Sequence, residues 1–296
     1  MNELTIVAPA KVNLFLEVGD LGEDGLHEVC LVNQSIDLCD RLTIRPASQA
    51  GHRLEITGPE SSTLSGLPDQ DNTVFRALRE LEIQSRRLPR VSVTIEKNIP
   101  IGSGLGGASA DAAAVLKGMT RMLSLSLTEQ DLVDIGSRVG SDVPFALAGG
   151  IRLVEGKGEK TTPLDFPLED VRYVLASPPI SVSTAWAYQA LDQFPERPRR
   201  DPAPFLHALE KQDYGLLAAS VWNAFEPVVF AQHPELAGMV VALEEGGCDA
   251  AWLTGSGSNV VGLCRNSDQA AEAVRAVSPF CPARTVKPWQ PPEALT

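Results

Sequence analysis

The chain has 296 residues, 44% hydrophobic and 21% charged, with 38 acidic against 25 basic side chains and a net charge of −13. That length exceeds the roughly 100–200 residues of one domain and points to two packed lobes with ample core material. The acidic balance argues against nucleic acid and anionic membranes as partners, no apolar run approaches the about 18 residues of a membrane span, and the opening Met1-Asn2-Glu3-Leu4 lacks a signal-peptide pattern, so a cytoplasmic protein is expected.

In chain order, Leu4–Val7 reads as a strand and Val12–Val18 as a second one with partial alternation. Asp20–Gly25 is a polar loop. Asp40–Arg45 and His52–Thr57 read as further strands, and Val91–Glu96 alternates well. Between them, Val74, Phe75, Leu78 and Leu81 give Asn72–Ile83 a helical spacing, with Asp71 or Asn72 as its cap. Asn98–Gly107 is glycine-rich and runs into a helix-prone segment that starts near Ala108. Thr128–Val139 reads as a helix capped by Thr128, with Asp131 at its third position. Gly156–Pro167 breaks the pattern and marks a lobe boundary, which divides the chain into 1–160 and 161–296. The proline- and charge-rich run from Pro195 to Pro202 reads as an exposed loop. Helices are expected around Pro204–Leu209, Tyr214–Trp222 and Pro234–Glu245. A strand at Ala250–Leu253, a Gly/Ser loop and a strand at Val260–Cys264 follow. This mixture argues an α/β or α+β fold. Cys30, Cys39, Cys248, Cys264 and Cys281 show no CxxC spacing, so neither a zinc site nor a disulfide framework is expected.

The segment Pro100-Ile-Gly-Ser-Gly-Leu-Gly-Gly-Ala-Ser109 carries the clearest chemistry. Its glycines let the backbone bend and approach a ligand, and the helix behind it offers unpaired N–H groups to an anion. Ser103 and Ser109 add hydroxyls. No Gly-Lys-Ser/Thr follows, so this is not a Walker A loop. Read alone, it is either a phosphate-binding loop or a flexible turn before an ordinary helix.

The pattern Pro100-x-x-x-Gly104-Leu-Gly-Gly-x-Ser109-x-x-Ala-Ala resembles the phosphate loop of the GHMP kinases, the superfamily of galactokinase, homoserine kinase and mevalonate kinase. Ala8-Pro-Ala-Lys-Val-Asn-Leu14 is similar to their N-terminal motif, and Leu253-Thr-Gly-Ser-Gly-Ser-Asn-Val260 to their C-terminal glycine-rich motif. Within the superfamily, five segments, the first an extension of the N-terminal motif, resemble the branch whose acceptor is the 2-hydroxyl of 4-diphosphocytidyl-2-C-methyl-D-erythritol, in non-mevalonate isoprenoid precursor synthesis. They are Ala8–Leu16, Asp24–Glu28, Gly140–Phe145, Glu155–Glu159 and Asn223–Val229.

The resemblance implies a two-lobed fold, with an N-terminal lobe like the second domain of ribosomal protein S5 and a ferredoxin-like C-terminal lobe. The site would lie in the cleft between them. It implies ATP and Mg²⁺ as cofactors, a cytidine diphosphate-linked polyol as the small-molecule substrate, and leaves the metal ligands open. ATP would be held by Pro100, Gly102, Ser103, Gly104, Leu105, Gly106, Gly107, Ala108 and Ser109. Asp142 would be the base that takes the acceptor's proton, and Lys11 the cation that stabilises negative charge. Asn13, two residues along the strand from Lys11, would contact the acceptor. His27 would contact the cytosine ring, Thr184 the erythritol, and Tyr188 would offer an aromatic face to the base. Leu26 and Asn33 depart from the branch, which usually has a tyrosine and a large apolar residue near them. Asp111 puts a carboxylate in the first turn of the phosphate helix, where it repels phosphate unless it points away or a metal intervenes. Another acceptor alcohol, or nucleotide binding without catalysis, stays open as an alternative.

Overall fold

One strand, β1 (Leu4–Leu21), carries both segments expected as separate strands at the start of the chain. Pro9 lacks an N–H to donate, yet it does not end the strand: the register to the neighbouring strand shifts between Pro9 and Lys11 and again between Asn13 and Phe15. The partner is β2 (His27–Pro46), which runs antiparallel to β1 over its whole length. Only its second half was legible, because Asn33, Gln34 and Ser35 break the hydrophobic alternation although all three are buried.

In this computed structural model the described residues are 2–47, 51–61, 72–85, 88–164, 171–194 and 196–290. The first lobe continues with β3 (Arg53–Thr57), α1 (Thr73–Ser85), β4 (Val91–Glu96), α2 (Gly107–Leu123), α3 (Glu129–Val139), α4 (Val143–Ala148), β5 (Ile151–Glu155) and β6 (Lys160–Pro163). The second holds β7 (Arg172–Ala176), α5 (Thr184–Asp192), α6 (Ala203–Glu210), α7 (Tyr214–Ser220), β8 (Trp222–Asn223), α8 (Glu226–Gln232), α9 (Pro234–Glu245), β9 (Ala250–Leu253), β10 (Val260–Cys264), α10 (Ser267–Val277) and β11 (Ala283–Val286). Asn72 caps α1 by accepting from the Val74 N–H at 2.9 Å. Asp71, Pro195 and the 165–167 part of the expected boundary lie outside the described residues. The division expected between 160 and 161 falls inside β6, which pairs with β5 in the first sheet.

The first sheet runs in the order β3-β4-β2-β1-β8, with β5 paired to β2 and β6 to β5. The second is antiparallel in the order β11-β7-β10-β9, the ferredoxin-like arrangement. Helices α1, α2 and α3 bury Leu78, Leu81, Val115, Met119 and Ile135 against Ile44, Val93 and Ile95 of the first sheet. The lobes are not independent bodies. Phe15 and Val12 of β1 share a buried cluster with Tyr173 and Trp252 of the second sheet. The short β8 leaves the second lobe to run parallel to β1 at Phe15 and Leu16. The seam between the lobes therefore lies along the middle of β1, where Lys11 and Asn13 stand. Among the described residues no helix is long and apolar enough to cross a membrane.

Helix α3 begins at a capping box: the Asp131 N–H donates to Thr128 Oγ1 at 3.1 Å and the Thr128 N–H to Asp131 Oδ2 at 2.8 Å. Thr128→Ala removes one half of it at an exposed position far from the lobe seam. Chemical denaturation should show a loss of about 1 kcal/mol of stability, with any activity of the protein unchanged.

Candidate active site

Strand β1 carries Lys11 to the floor of the cleft, where its side chain is 8% exposed. Its ammonium donates to Asn13 Oδ1 at 2.7 Å and stands 3.6 Å from Asp142 Oδ2. Asp142 is the residue before α4, and its side chain makes no capping hydrogen bond, so the carboxylate is directed into the cleft rather than onto its own helix. Pro144 in the first turn of α4 suits that helix start, because a proline there loses no intrahelical bond. Lys11 and Asp142, remote in sequence, thus form one charge pair.

The glycine-rich loop arches over this pair. The Lys11 N–H donates to Leu105 O at 3.0 Å, which binds the loop to β1. Gly106 sits at φ 70°, and a Cβ on it would come within 3.0 Å of Lys11 Cγ and 3.7 Å of Asp142 Oδ2. Gly104, at φ 79°, meets the second glycine-rich loop so closely that a Cβ would collide with Thr254 O. Side chains at either position would force the two loops and the lysine apart. Behind the loop, α2 starts at Gly107, one residue before the expected Ala108. Its first N–H groups and its dipole face a cavity of about 430 Å³ lined by Lys11, Ser103, Ser109, Asp142, Thr184 and Tyr188 among others.

Asp111 does not confront an anion unaided. Its Oδ2 accepts from Lys97 Nζ at 2.6 Å, and the same ammonium donates to Asp40 Oδ2 at 2.5 Å. Asp40 Oδ1 takes the N–H groups of Asn98 and Ile99 at 2.6 and 2.9 Å, which fixes the entry to the glycine loop. Burial pushes the Asp111 carboxyl up to about 7, with Lys97 opposing that shift and Asp40 adding to it. Its Oδ1 has no hydrogen-bond partner among the described residues. Neither Lys97 nor Asp40 was singled out from the sequence. The only local signal is a lysine that directly follows strand β4, just before the loop.

On the opposite wall, Asn13 is 1% exposed and densely bonded. Oδ1 accepts from Lys11 Nζ, from the Gly255 N–H at 2.9 Å and from Thr254 Oγ1 at 3.3 Å. Nδ2 donates to Asn33 Oδ1 at 2.6 Å, and the Asn13 N–H to Thr254 Oγ1 at 3.0 Å. Asn33 is therefore a buried partner of Asn13, and its departure from the branch pattern falls behind the cavity wall. Thr184 Oγ1 shares a hydrogen bond of 2.9 Å with Ser256 Oγ. The rings of Tyr188 and His27 are stacked at 5.0 Å and 27°, and Phe225 meets Tyr188 edge-on at 5.0 Å. Tyr188, Phe225 and Thr184 line the cavity, and His27 stands behind Tyr188. Its Nδ1 is 3.1 Å from Gly19 O and its Nε2 is 3.3 Å from Asp192 Oδ1. Leu26 lies on the exposed loop beside it, 54% accessible. A glycine-rich loop before a helix start, one ammonium and one carboxylate thus converge beside an aromatic wall. Such a set can hold a polyphosphate and take a proton from a nearby hydroxyl.

The GHMP kinases N terminal domain family matches residues 72–150, and the GHMP kinases C terminal family matches residues 205–283. A 4-diphosphocytidyl-2-C-methyl-D-erythritol kinase of Pelotomaculum thermopropionicum is 37% identical over 269 residues, covering 91% of this chain and 92% of its own. Another, of Synechococcus elongatus, is 37% identical over 306 residues, covering 98% of this chain and 95% of its own. Among solved structures, a 4-(cytidine 5'-diphospho)-2C-methyl-D-erythritol kinase superposes with a TM-score of 0.77 at 30% identity, covering 96% of this chain and 99% of that one. A homoserine kinase from Cytophaga hutchinsonii reaches the same TM-score of 0.77 at 18% identity, covering 97% and 95%, a likeness of fold.

Next to the second glycine-rich loop, burial pushes Glu226 from 4.5 up to about 7, with the Leu253 N–H bonded to it pulling the other way and Glu244 adding to the rise. The unfolded chain gives up this proton near the ordinary value and the fold only near 7, so the fold loses stability as pH rises between the two. Glu226→Gln keeps an acceptor for the Leu253 N–H and removes that loss. Thermal unfolding should show the variant gaining on the native protein from pH 5 to pH 8, by an amount on the order of 2–3 kcal/mol. A gap that does not change with pH contradicts this.

Proposed function

The chain belongs to the GHMP kinases, ATP-dependent kinases of small molecules, and on that premise we propose that it transfers the γ-phosphate of ATP to the 2-hydroxyl of 4-diphosphocytidyl-2-C-methyl-D-erythritol. The observation that carries this reading is that relatives of that name, 37% identical, align across more than nine-tenths of this chain. The Lys11–Asp142 pair, 3.6 Å apart under the glycine loop, supplies the chemistry such a reaction needs.

In this mechanism the N–H groups of Gly106–Ser109 and the start of α2 take the triphosphate. The acceptor hydroxyl lies beside Asp142, whose carboxylate accepts its proton as the new O–P bond forms. The bond from the γ-phosphorus to the bridging oxygen breaks and ADP leaves. Lys11 offsets the negative charge that gathers between acceptor and phosphate. Thr184 and Ser256 face the polyol, and Tyr188 offers its ring to the cytosine, with His27 and Phe225 holding that ring in place. Mg²⁺ would supply neutralisation of the phosphate charge. The Ser109 hydroxyl and the unpartnered Oδ1 of Asp111 are oxygen donors that fit a cation needing only one or two protein ligands beside phosphate.

A coupled ADP assay against a panel of acceptors tests the reading. Turnover is expected with the cytidine-linked polyol, and preference for homoserine or mevalonate overturns it. Asp142→Asn keeps the shape and hydrogen bonds of the side chain but cannot accept the proton, so turnover should fall by about 10²–10⁴-fold with ATP affinity largely kept. Near-native turnover would remove Asp142 from the role of base. Gly106→Val places a branched side chain at a left-handed φ against Lys11, and calorimetry should show ATP binding weakened more than tenfold, about 1.4 kcal/mol or more. Unchanged ATP binding counts against the loop assignment.

A further inference from the structure

Of the segment Asn223-Ala-Phe-Glu226 only Phe225 enters the reading above, yet Asn223 and Glu226 grip the second glycine-rich loop from outside. Asn223 is fully buried, and every hydrogen-bonding atom of its side chain is engaged. Nδ2 donates to Leu253 O at 2.6 Å and to Gly255 O at 2.8 Å, and Oδ1 accepts from the Phe225 N–H at 2.9 Å. One residue into α8 from there, Glu226 Oε1 accepts from the Leu253 N–H at 2.9 Å. The loop that is held has Gly255 at φ 59° and Gly257 at φ 94°, and such a backbone has little stiffness of its own.

The other side of that loop reaches the reacting groups. The Gly255 N–H and the Thr254 hydroxyl both donate to Asn13 Oδ1, the oxygen that also takes the Lys11 ammonium. Asn223 is itself anchored to the strand bearing Lys11, since β8 pairs with β1 at Leu16 and the Ala224 N–H donates to Leu16 O at 2.9 Å. The bonds close a ring from β1 through β8, Asn223 and the 253–255 loop, then through Asn13 back to Lys11 on β1. Asn223 meets this geometry for a definite reason. A carboxylate there would lack the two hydrogens, and a glutamine would be one methylene too long for both carbonyls.

We propose that Asn223 is a positioning residue for phosphoryl transfer, which fixes the 253–255 loop and, through Thr254, Gly255 and Asn13, the place of the Lys11 ammonium. The inference rests on the reading of Lys11 given above. Misplacement of a reacting group by about 1 Å costs on the order of 10²-fold in rate, and ATP binding depends mainly on the separate loop over 100–109.

The test uses Asn223→Ala together with Thr254→Val, which keeps the side-chain shape and deletes only the link to Asn13. At saturating ATP and acceptor, kcat should fall about 10²-fold in the first and about tenfold in the second, with the ATP dissociation constant within about threefold of native. A kcat within about threefold of native in both, or ATP affinity lost in step with kcat, overturns the proposal. Should Asn223→Ala not fold, Thr254→Val decides by the same criteria. Two measurements need no acceptor: amide exchange across residues 253–257, and labelling of Lys11 by reductive methylation. Both should speed up in Asn223→Ala, and native rates in both overturn the inference. Absence of transfer by the native protein instead sinks the function, leaving these two arms to decide on the positioning.

Discussion

One oxygen atom organises the centre of this protein. Asn13 Oδ1 receives the Lys11 ammonium from its own strand and the Gly255 N–H from the second lobe, while the same side chain donates to Asn33 on β2. A buried amide of this kind is costly unless all its partners are present, so the two lobes have one favourable docking at this point. Trp252 reinforces the docking: its ring is buried in the shared core and its Nε1 donates to Asn13 O at 2.7 Å. The cleft is therefore a consequence of how the lobes meet, with Lys11 already aimed by the bonds that join them.

The electrostatic design follows from the same constraint. A chain of net charge −13 binds an anion only if its positive potential is local. Lys11 and the start of α2 provide it, whereas the second buried lysine, Lys97, is tied down by two carboxylates. Lys97 stands between Asp40 and Asp111, with side chains 4%, 0% and 6% exposed. One ammonium between two carboxylates leaves the cluster an excess negative charge if both acids ionise, and burial answers by holding Asp111 up to about 7. The cluster links β2, the residue just after β4 and the second turn of α2, so it sets where the glycine loop begins. Lys11 is the contrasting case. It faces a single carboxylate, Asp142, on the floor of the cleft.

Much of the fold was legible because its signals are local. The alternation of Val91–Glu96, the Thr128 capping box, the glycine loop leading into an alanine-rich helix and the strands flanking the Gly/Ser loop all lie within windows of ten or so residues. Motif order extended this to the family and to a list of site residues. It did not extend to what those residues do to one another. Asn13, expected as an acceptor contact, spends its carbonyl oxygen on holding Lys11 and the second loop. His27, expected against the cytosine, stacks behind Tyr188 and does not line the cavity.

By itself, then, the amino-acid sequence determined the type and approximate limits of most elements and the glycine-rich loop that leads into α2. These depend on backbone propensity, glycine freedom and short-range pattern, which a chain carries in its local order. The tertiary structure alone decided that β1 is a single strand running past Pro9, that polar Asn33, Gln34 and Ser35 belong in a buried strand, and that Asp40, Lys97 and Asp111 share one cluster. It alone brought Asn223 onto the loop behind Asn13. Each of these joins residues far apart in the chain, and a polar side chain shows whether it is buried and paired only once the partner that satisfies it has been packed against it.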